Sequence, residues 1–128
     1  MELFDIIDEN GNLTGKIVER SIAHAEGIPH RTAHIWIIRR RNEKTEILLQ
    51  KRSRNKDSFP GKFDTSSAGH IQAGDEPMES ALRELEEELG IKADPGKLKF
   101  IGMHDGTMEA VFDGKPFKNH ELSAVYIY

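Results

Sequence analysis

GHIQAGDEPMESALRELEEELGI, running from Gly69 to Ile91, joins a short glycine-containing loop to a helix that holds most of the chain's concentrated negative charge. Gly69 and Gly74 suit a backbone that must turn tightly and bring its own amides and carbonyls close to a ligand. Asp75 is a good N-cap, Glu76 places charge at the positive helix end, and Pro77 fits the first turn, where its missing N–H is harmless. Gly90 stops the helix, so the spacing predicts a helix from Pro77 to Leu89. Met78, Ala81, Leu82, Leu85 and Leu89 recur at three- and four-residue intervals. At about 100° per residue they make one apolar stripe that faces a core.

The carboxylates lie off that stripe. Glu84, Glu87 and Glu88 fall within an arc of roughly 100°, with Glu79 and Glu86 on the opposite flank. Glu84 and Glu88 are like charges one turn apart, an arrangement that is unfavourable with nothing between them and favourable with a divalent cation. Hard oxygen ligands of this kind suit Mg²⁺ or Mn²⁺, with the remaining positions left to water and substrate phosphate. Arg83, four residues before Glu87, is placed to pair with it. The plain alternative is a solvated acidic face with no function.

The order of residues goes further than the spacing. It resembles the signature of the Nudix hydrolases, G-x5-E-x7-R-E-U-x-E-E-x-G-U with U a bulky aliphatic residue, through Gly69, Arg83, Glu84, Leu85, Glu87, Glu88, Gly90 and Ile91. Asp75 stands where the pattern has Glu, and Glu76 beside it is no simple replacement. The resemblance implies one Nudix domain over residues 1–128 with its box at 69–91. It also implies an α/β fold, an α/β/α sandwich on a mixed β-sheet, with the box helix packed on one face. It assigns Mg²⁺ or Mn²⁺ to Glu84, Glu87 and Glu88, often with the carbonyl of Ala68, and a catalytic role to Arg83. Members of the family usually continue past the last strand into a further strand and a C-terminal helix. The apolar run Ala124 to Tyr128 is therefore expected to be followed by chain absent here, or covered by another molecule.

Composition bounds the remaining possibilities. With 128 residues, 37% hydrophobic and 31% charged, the sequence describes one ordinary globular domain with a real core. It has no cysteine, which excludes a disulfide framework and a thiolate nucleophile and fits a reducing cytoplasm. No apolar run has membrane-spanning length, and MELFDIIDENGN lacks the layout of a signal peptide. The net charge of -4 is unevenly spread: Asp75 to Glu88 holds seven acids against one arginine, whereas Arg39 to Lys56 is basic. An acidic and a basic locus together suit a metal-bridged phosphate ester. A pI of about 5.9 and the lack of any aromatic-and-basic pattern argue against a nucleic-acid partner.

Along the chain, Leu3 to Ile7 and Leu13 to Val18 read as a β-hairpin around Asn10-Gly11. Glu19 to Glu26 reads as a short helix or turn ended by Gly27 and Pro29. Arg31 to Ile38 reads as a central strand with Trp36 in the core. A polar turn from Arg40 to Lys44 leads to a second strand from Thr45 to Arg52. A basic loop, Ser53 to Lys62, bends at Phe59-Pro60-Gly61, and Thr65 to Ser67 leads as a strand into the acidic stretch. Leu98 to Met103, Thr107 to Phe112 and Leu122 to Tyr128 read as three further strands, with a turn at Asp113-Gly114.

Outside the box, LFDIIDENGN, QKRSRNKDSFPGKFD and SAGH resemble the Nudix branch related to isopentenyl-diphosphate isomerases. By that resemblance Arg52 and Lys56 contact the diphosphate, Arg as a fork and Lys as a point charge. The isomerase reading itself lacks its cysteine, because Ala68 stands before the Gly69-His70 pair. His70 and His30 match isomerase metal ligands, His24 lies near a third, and the expected loop residue Glu121 matches a catalytic glutamate. Such a cluster could hold a second metal as neutral imidazole, while each histidine singly reads as a surface or hydrogen-bonded core residue. His104, in a turn-like stretch, and His120 read as structural. The expected activity is metal-assisted hydrolysis of a diphosphate linked to another group, such as a nucleoside diphosphate derivative. Water is then the nucleophile, and Glu87, Glu88 or Glu121 takes its proton. A diphosphate-sensing module without turnover is the reading from another class. The resemblance also allows a homodimer.

Overall fold

The apolar run at Arg31 to Ile38 forms β3 (His30–Trp36) and occupies the interior of a four-stranded sheet. The computed structural model describes residues 2–52, 61–112 and 114–128, with Phe112 described by its backbone alone. The sheet order is β8 (Ser67–His70), β3, β10 (Lys115–Ile127), β9 (Lys99–Phe112). β3 runs parallel to β10 and antiparallel to β8, so the sheet is mixed.

Alternation along β3 sends its residues to two different environments. Ala33 and Ile35 join Ile71, Leu98, Ala124 and Tyr126 in a core closed by Ala81 and Leu85 of α2 (Pro77–Leu89). His30, Thr32 and His34 face the other way. There, α1 (Arg20–Glu26) and the hairpin of β1 (Leu3–Ile7) and β2 (Leu13–Glu19) cover the sheet, with Phe4, Val18 and Ala23 buried together. The layers are helix, sheet, helix, the α/β architecture expected. Among the described residues no helix is long and apolar enough to cross a membrane.

α2 begins and ends at the residues its periodicity predicts, and Gly90 closes it at φ 68° with its N–H on Glu86 O. Its N-cap, however, is Glu76 without a side-chain cap bond, not Asp75, because the Asp75 carboxylate is engaged by Arg83 at 2.9 Å. The first hairpin turns through five residues rather than two. The Asp8 carboxylate accepts the N–H groups of Asn10 and Asn12, both at 2.9 Å, and Gly11 takes φ 81°.

Other departures have equally local causes. Trp36 is only half-buried, at the end of β3 on the face away from α2. The strand expected from Thr45 to Arg52 is divided into β5 (Lys44–Ile47), paired with β4 (Ile38–Arg41), and β6 (Gln50–Lys51), paired with β7 (Phe63–Asp64). The break falls where Ser66 Oγ donates to Leu48 O and accepts the Ile37 N–H at 2.9 Å. The β4–β5 turn places Asn42 and Glu43 at φ 51° and 63°, the left-handed pair of a tight hairpin turn.

The three strands expected after Leu98 are two long ones joined in register as far as Phe112 and Lys115. The polar residues His104 to Gly106 and Lys115 to Glu121 are therefore part of the ladder. Asp113 and the residues Ser53 to Pro60 of the basic loop lie outside the described residues. Leu85 is fully buried, so Leu85→Ala should lower unfolding stability by about 3 kcal/mol, while Glu86→Ala on the exposed flank should change it by less than about 0.5 kcal/mol. Urea denaturation of the two variants measures the contrast.

Candidate functional site

The rotation of α2 fixed by its buried stripe lays Glu84 and Glu88 over β8. The backbone at Gly69 lies so close beneath that a Cβ there would stand 2.2 Å from Cδ of Glu84. Glu88 Oε1 accepts the Ser67 hydroxyl at 3.1 Å and the Ala68 N–H at 3.2 Å. The Glu88 carboxyl is also a hydrogen-bonding neighbour of Glu84. Burial first, then the hydrogen bond and charge of Glu88, push the Glu84 pKa up to about 7, against the opposing pull of Arg83. Glu87 does not join them: it is 63% exposed, with its Oε1 4.0 Å from Arg83 Nε.

Arg83 fans across all the acids around it. Its shortest contact is Asp75 at 2.9 Å, followed by Glu84 at 3.7 Å, so Asp75 rather than Glu87 is its principal partner. The carbonyl of Asp75 accepts Arg31 at 3.1 Å, Arg31 pairs with Asp5 at 2.9 Å, and Asp5 also accepts the N–H of Gly74 at 2.9 Å. Asp5 and Arg31 thus brace the loop that positions the box helix, and sequence reasoning passed over both. The available signal was a charged residue set inside a strand: Asp5 in the otherwise apolar LFDII, and Arg31 one residue into β3.

The basic residues singled out are divided. Arg52, at the end of β6, lies 3.2 Å from Asp64 Oδ2 and exchanges backbone hydrogen bonds with Gly61 and Lys62. Lys56 lies outside the described residues. Glu121 is not in a loop but in β10, opposite His30. It shares the parity of Ser123, not of Ala124 and Tyr126, and therefore sits on the face of the sheet away from α2. There it accepts Asn119 at 2.7 Å and lies 3.9 Å from both His34 and His70.

On that same face the structure collects His24 from α1, His30 from β3 and His70 from β8, with their ligating nitrogens within 4.8 Å of one another. Burial, reinforced for His24 and His70 by neighbouring histidine charge, lowers the pKa of all three, His24 to about 4 and His70 to about 3. His34 is lowered by burial as well. His104 belongs to β9, not to a turn, and His120 pairs with Asp105 at 3.1 Å on the neighbouring strand.

The NUDIX domain profile matches residues 29–128. Nudix hydrolase 3 of Arabidopsis thaliana is 42% identical over 126 residues, which are 98% of this chain and 16% of that protein. An uncharacterised Nudix hydrolase of Clostridium acetobutylicum is 42% identical over 99% of this chain and 59% of its own length. The chain thus spans less than two thirds of either relative's own length. A crystal structure from Deinococcus radiodurans superimposes with a TM-score of 0.66 at 20% identity, covering 98% of this chain and 70% of that one, a likeness of fold.

The shifted groups have opposite consequences for stability. A histidine whose folded pKa is depressed leaves the unfolded chain to take up the proton first, so stability present above about pH 6.5 is lost as pH falls toward 4. Glu84, raised to about 7, acts the other way between 4.5 and 7. In a Glu84→Gln background with chelator present, the urea midpoint should therefore fall steadily from pH 7 to pH 5, each histidine contributing at most about 1.4 kcal/mol per pH unit. A flat profile would show that these imidazoles already titrate normally in the folded protein.

Proposed function

The chain belongs to the Nudix family, and from that premise we propose that it is a divalent-metal-dependent hydrolase of phosphoric anhydrides. Its substrate in this reading is a diphosphate linked to another group, such as a nucleoside diphosphate derivative. The observation that carries the reading is the Glu84–Glu88 pair: two carboxyls pressed together over a glycine, one of them with its pKa raised to about 7. Such a pair is unfavourable when both groups are ionised and no cation is present, and it fits a hard divalent ion.

Glu84 and Glu88 would hold Mg²⁺ or Mn²⁺, with the Ala68 carbonyl as a third donor. The bound ion supplies charge neutralisation at the phosphoryl oxygens and acidifies water. Glu88 is held on Ser67 and Ala68, and Glu121 occupies the far face of the sheet, so the exposed Glu87 is the carboxylate best placed to take the proton from the attacking water. Arg83 restrains Glu84 and Glu87 while its own position is set by Asp75. Arg52 and Lys56 would orient the diphosphate.

A panel of nucleoside diphosphates and triphosphates, sugar nucleotides, coenzyme A and isoprenyl diphosphates, assayed with Mg²⁺ and Mn²⁺ for phosphate-containing products, identifies the substrate. Against it, Glu88→Gln should lower kcat by about 100-fold with the fold intact. Gly69→Ala should lower activity as well, because its methyl group displaces the Glu84 carboxylate. Wild-type turnover by Glu88→Gln would overturn the assignment.

A further inference from the structure

We propose that Asp5, on the first hairpin, is a positioning residue for the carboxyl pair on α2, acting through Arg31, the loop of residues 72–75 and Arg83. The inference rests on one part of the hydrolase reading, the divalent ion on Glu84 and Glu88. It adds an element, β1, that precedes the segment 29–128 matched by the domain profile.

The loop that leads into α2 is fixed from outside. Within it the Asp75 N–H donates to the Gln72 carbonyl at 3.0 Å, and Gly74 takes φ 87°. From β1, the Leu3 carbonyl accepts the Ala73 N–H at 2.8 Å, and Asp5 Oδ2 accepts the Gly74 N–H at 2.9 Å. The same carboxylate oxygen accepts Arg31 Nη2 at 2.9 Å, and that nitrogen also donates to the Asp75 carbonyl at 3.1 Å. Asp5 thus holds the loop twice, directly at Gly74 and through Arg31 at Asp75. The two charged side chains are 14% and 13% exposed, so water is a poor substitute for their pairing.

What the loop presents to α2 is the Asp75 carboxylate, and there it meets Arg83. Arg83 lies 2.9 Å from Asp75, 3.7 Å from Glu84 and 4.0 Å from Glu87. A guanidinium beside Glu84 competes with a metal ion for the same carboxylate. Asp75 takes the shortest of the three contacts and so holds that competitor off. With the loop released, Arg83 would lose its nearest acid and close on Glu84, neutralising the charge that a divalent ion needs. Asp5 therefore sets metal affinity from the far end of a chain of ionic contacts, without touching metal or substrate.

The test titrates the full chain with Mn²⁺ alone and reads bound ion by electron paramagnetic resonance. Asp5→Asn should weaken Mn²⁺ binding at least about tenfold. In an Arg83→Gln background, where the competing cation is gone, the same substitution should change it by less than about twofold. A residue that serves only the fold would cause the same loss in both backgrounds. The Asp5→Asn/Arg31→Gln double variant removes both charges together, strands neither, and should also bind Mn²⁺ weakly. In wild-type protein the Gly74 amide should exchange at least about tenfold more slowly than an unbonded amide. Wild-type Mn²⁺ affinity in the folded variants, equal losses with and without Arg83, or a freely exchanging Gly74 amide refutes the proposal. A wild-type chain that takes up no Mn²⁺ refutes both this inference and the hydrolase reading. One that binds Mn²⁺ through Glu84 and Glu88 yet hydrolyses nothing in the substrate panel refutes the hydrolase reading alone.

Discussion

The close approach of α2 to β8 is the constraint on which the rest depends. Ala81 and Leu85 fix the rotation of the helix by burying against Ala33, Ile35 and Ala124, and that rotation leaves Glu84 directly over Gly69. A side chain at Gly69 would meet the far end of the Glu84 side chain and push its carboxylate aside, separating the carboxyl pair while Ala81 and Leu85 keep their packing. Stability and chemistry therefore share one interface. The apolar side of the helix supplies the free energy that brings two like charges into a partly buried place.

The loop between β8 and α2 is held by charge rather than by packing. Asp5, Arg31, the Asp75 carbonyl, the Asp75 carboxylate and Arg83 form a continuous relay from the first hairpin through the central strand to the box helix. Arg31 and Asp5 are 13% and 14% exposed, so their pairing is little screened by solvent and breaking it would strand a charge. The relay also gives the Asp that stands where the family pattern has Glu a defined partner in Arg83. The shorter side chain still reaches Arg83 from this loop, and it gives up helix capping to do so.

These particulars explain which parts of the molecule were legible in the sequence. The helix was readable to the residue because amphipathic period, proline at its start and glycine at its end all agree. The central strand was readable because its apolar run has no helical period. The continuous strands β9 and β10 were not, since their outer halves are polar and held by ladder bonds and pairs such as His120 with Asp105, which leave no hydrophobic signature. The break between β5 and β6 depends on one serine hydroxyl eighteen positions from Leu48. For the candidate site, the arc of three glutamates was legible as an angle on the helix. Which two of them turn inward depends on Ser67, Ala68 and Gly69, and that information lies in another element.

Strand alternation gives β8 a part on both faces of the sheet. Gly69 faces α2 and its carboxylates, while His70, the next residue, faces the imidazole cluster on the opposite side. The sequence Ala68-Gly69-His70 thus sets the glycine beneath the Glu84 carboxylate and a partly buried histidine one residue apart along the chain, with the sheet between them. A shift of β8 that loosened the glycine contact would also move His70 relative to His30, since Ala33 and Thr32 pair with those same two residues.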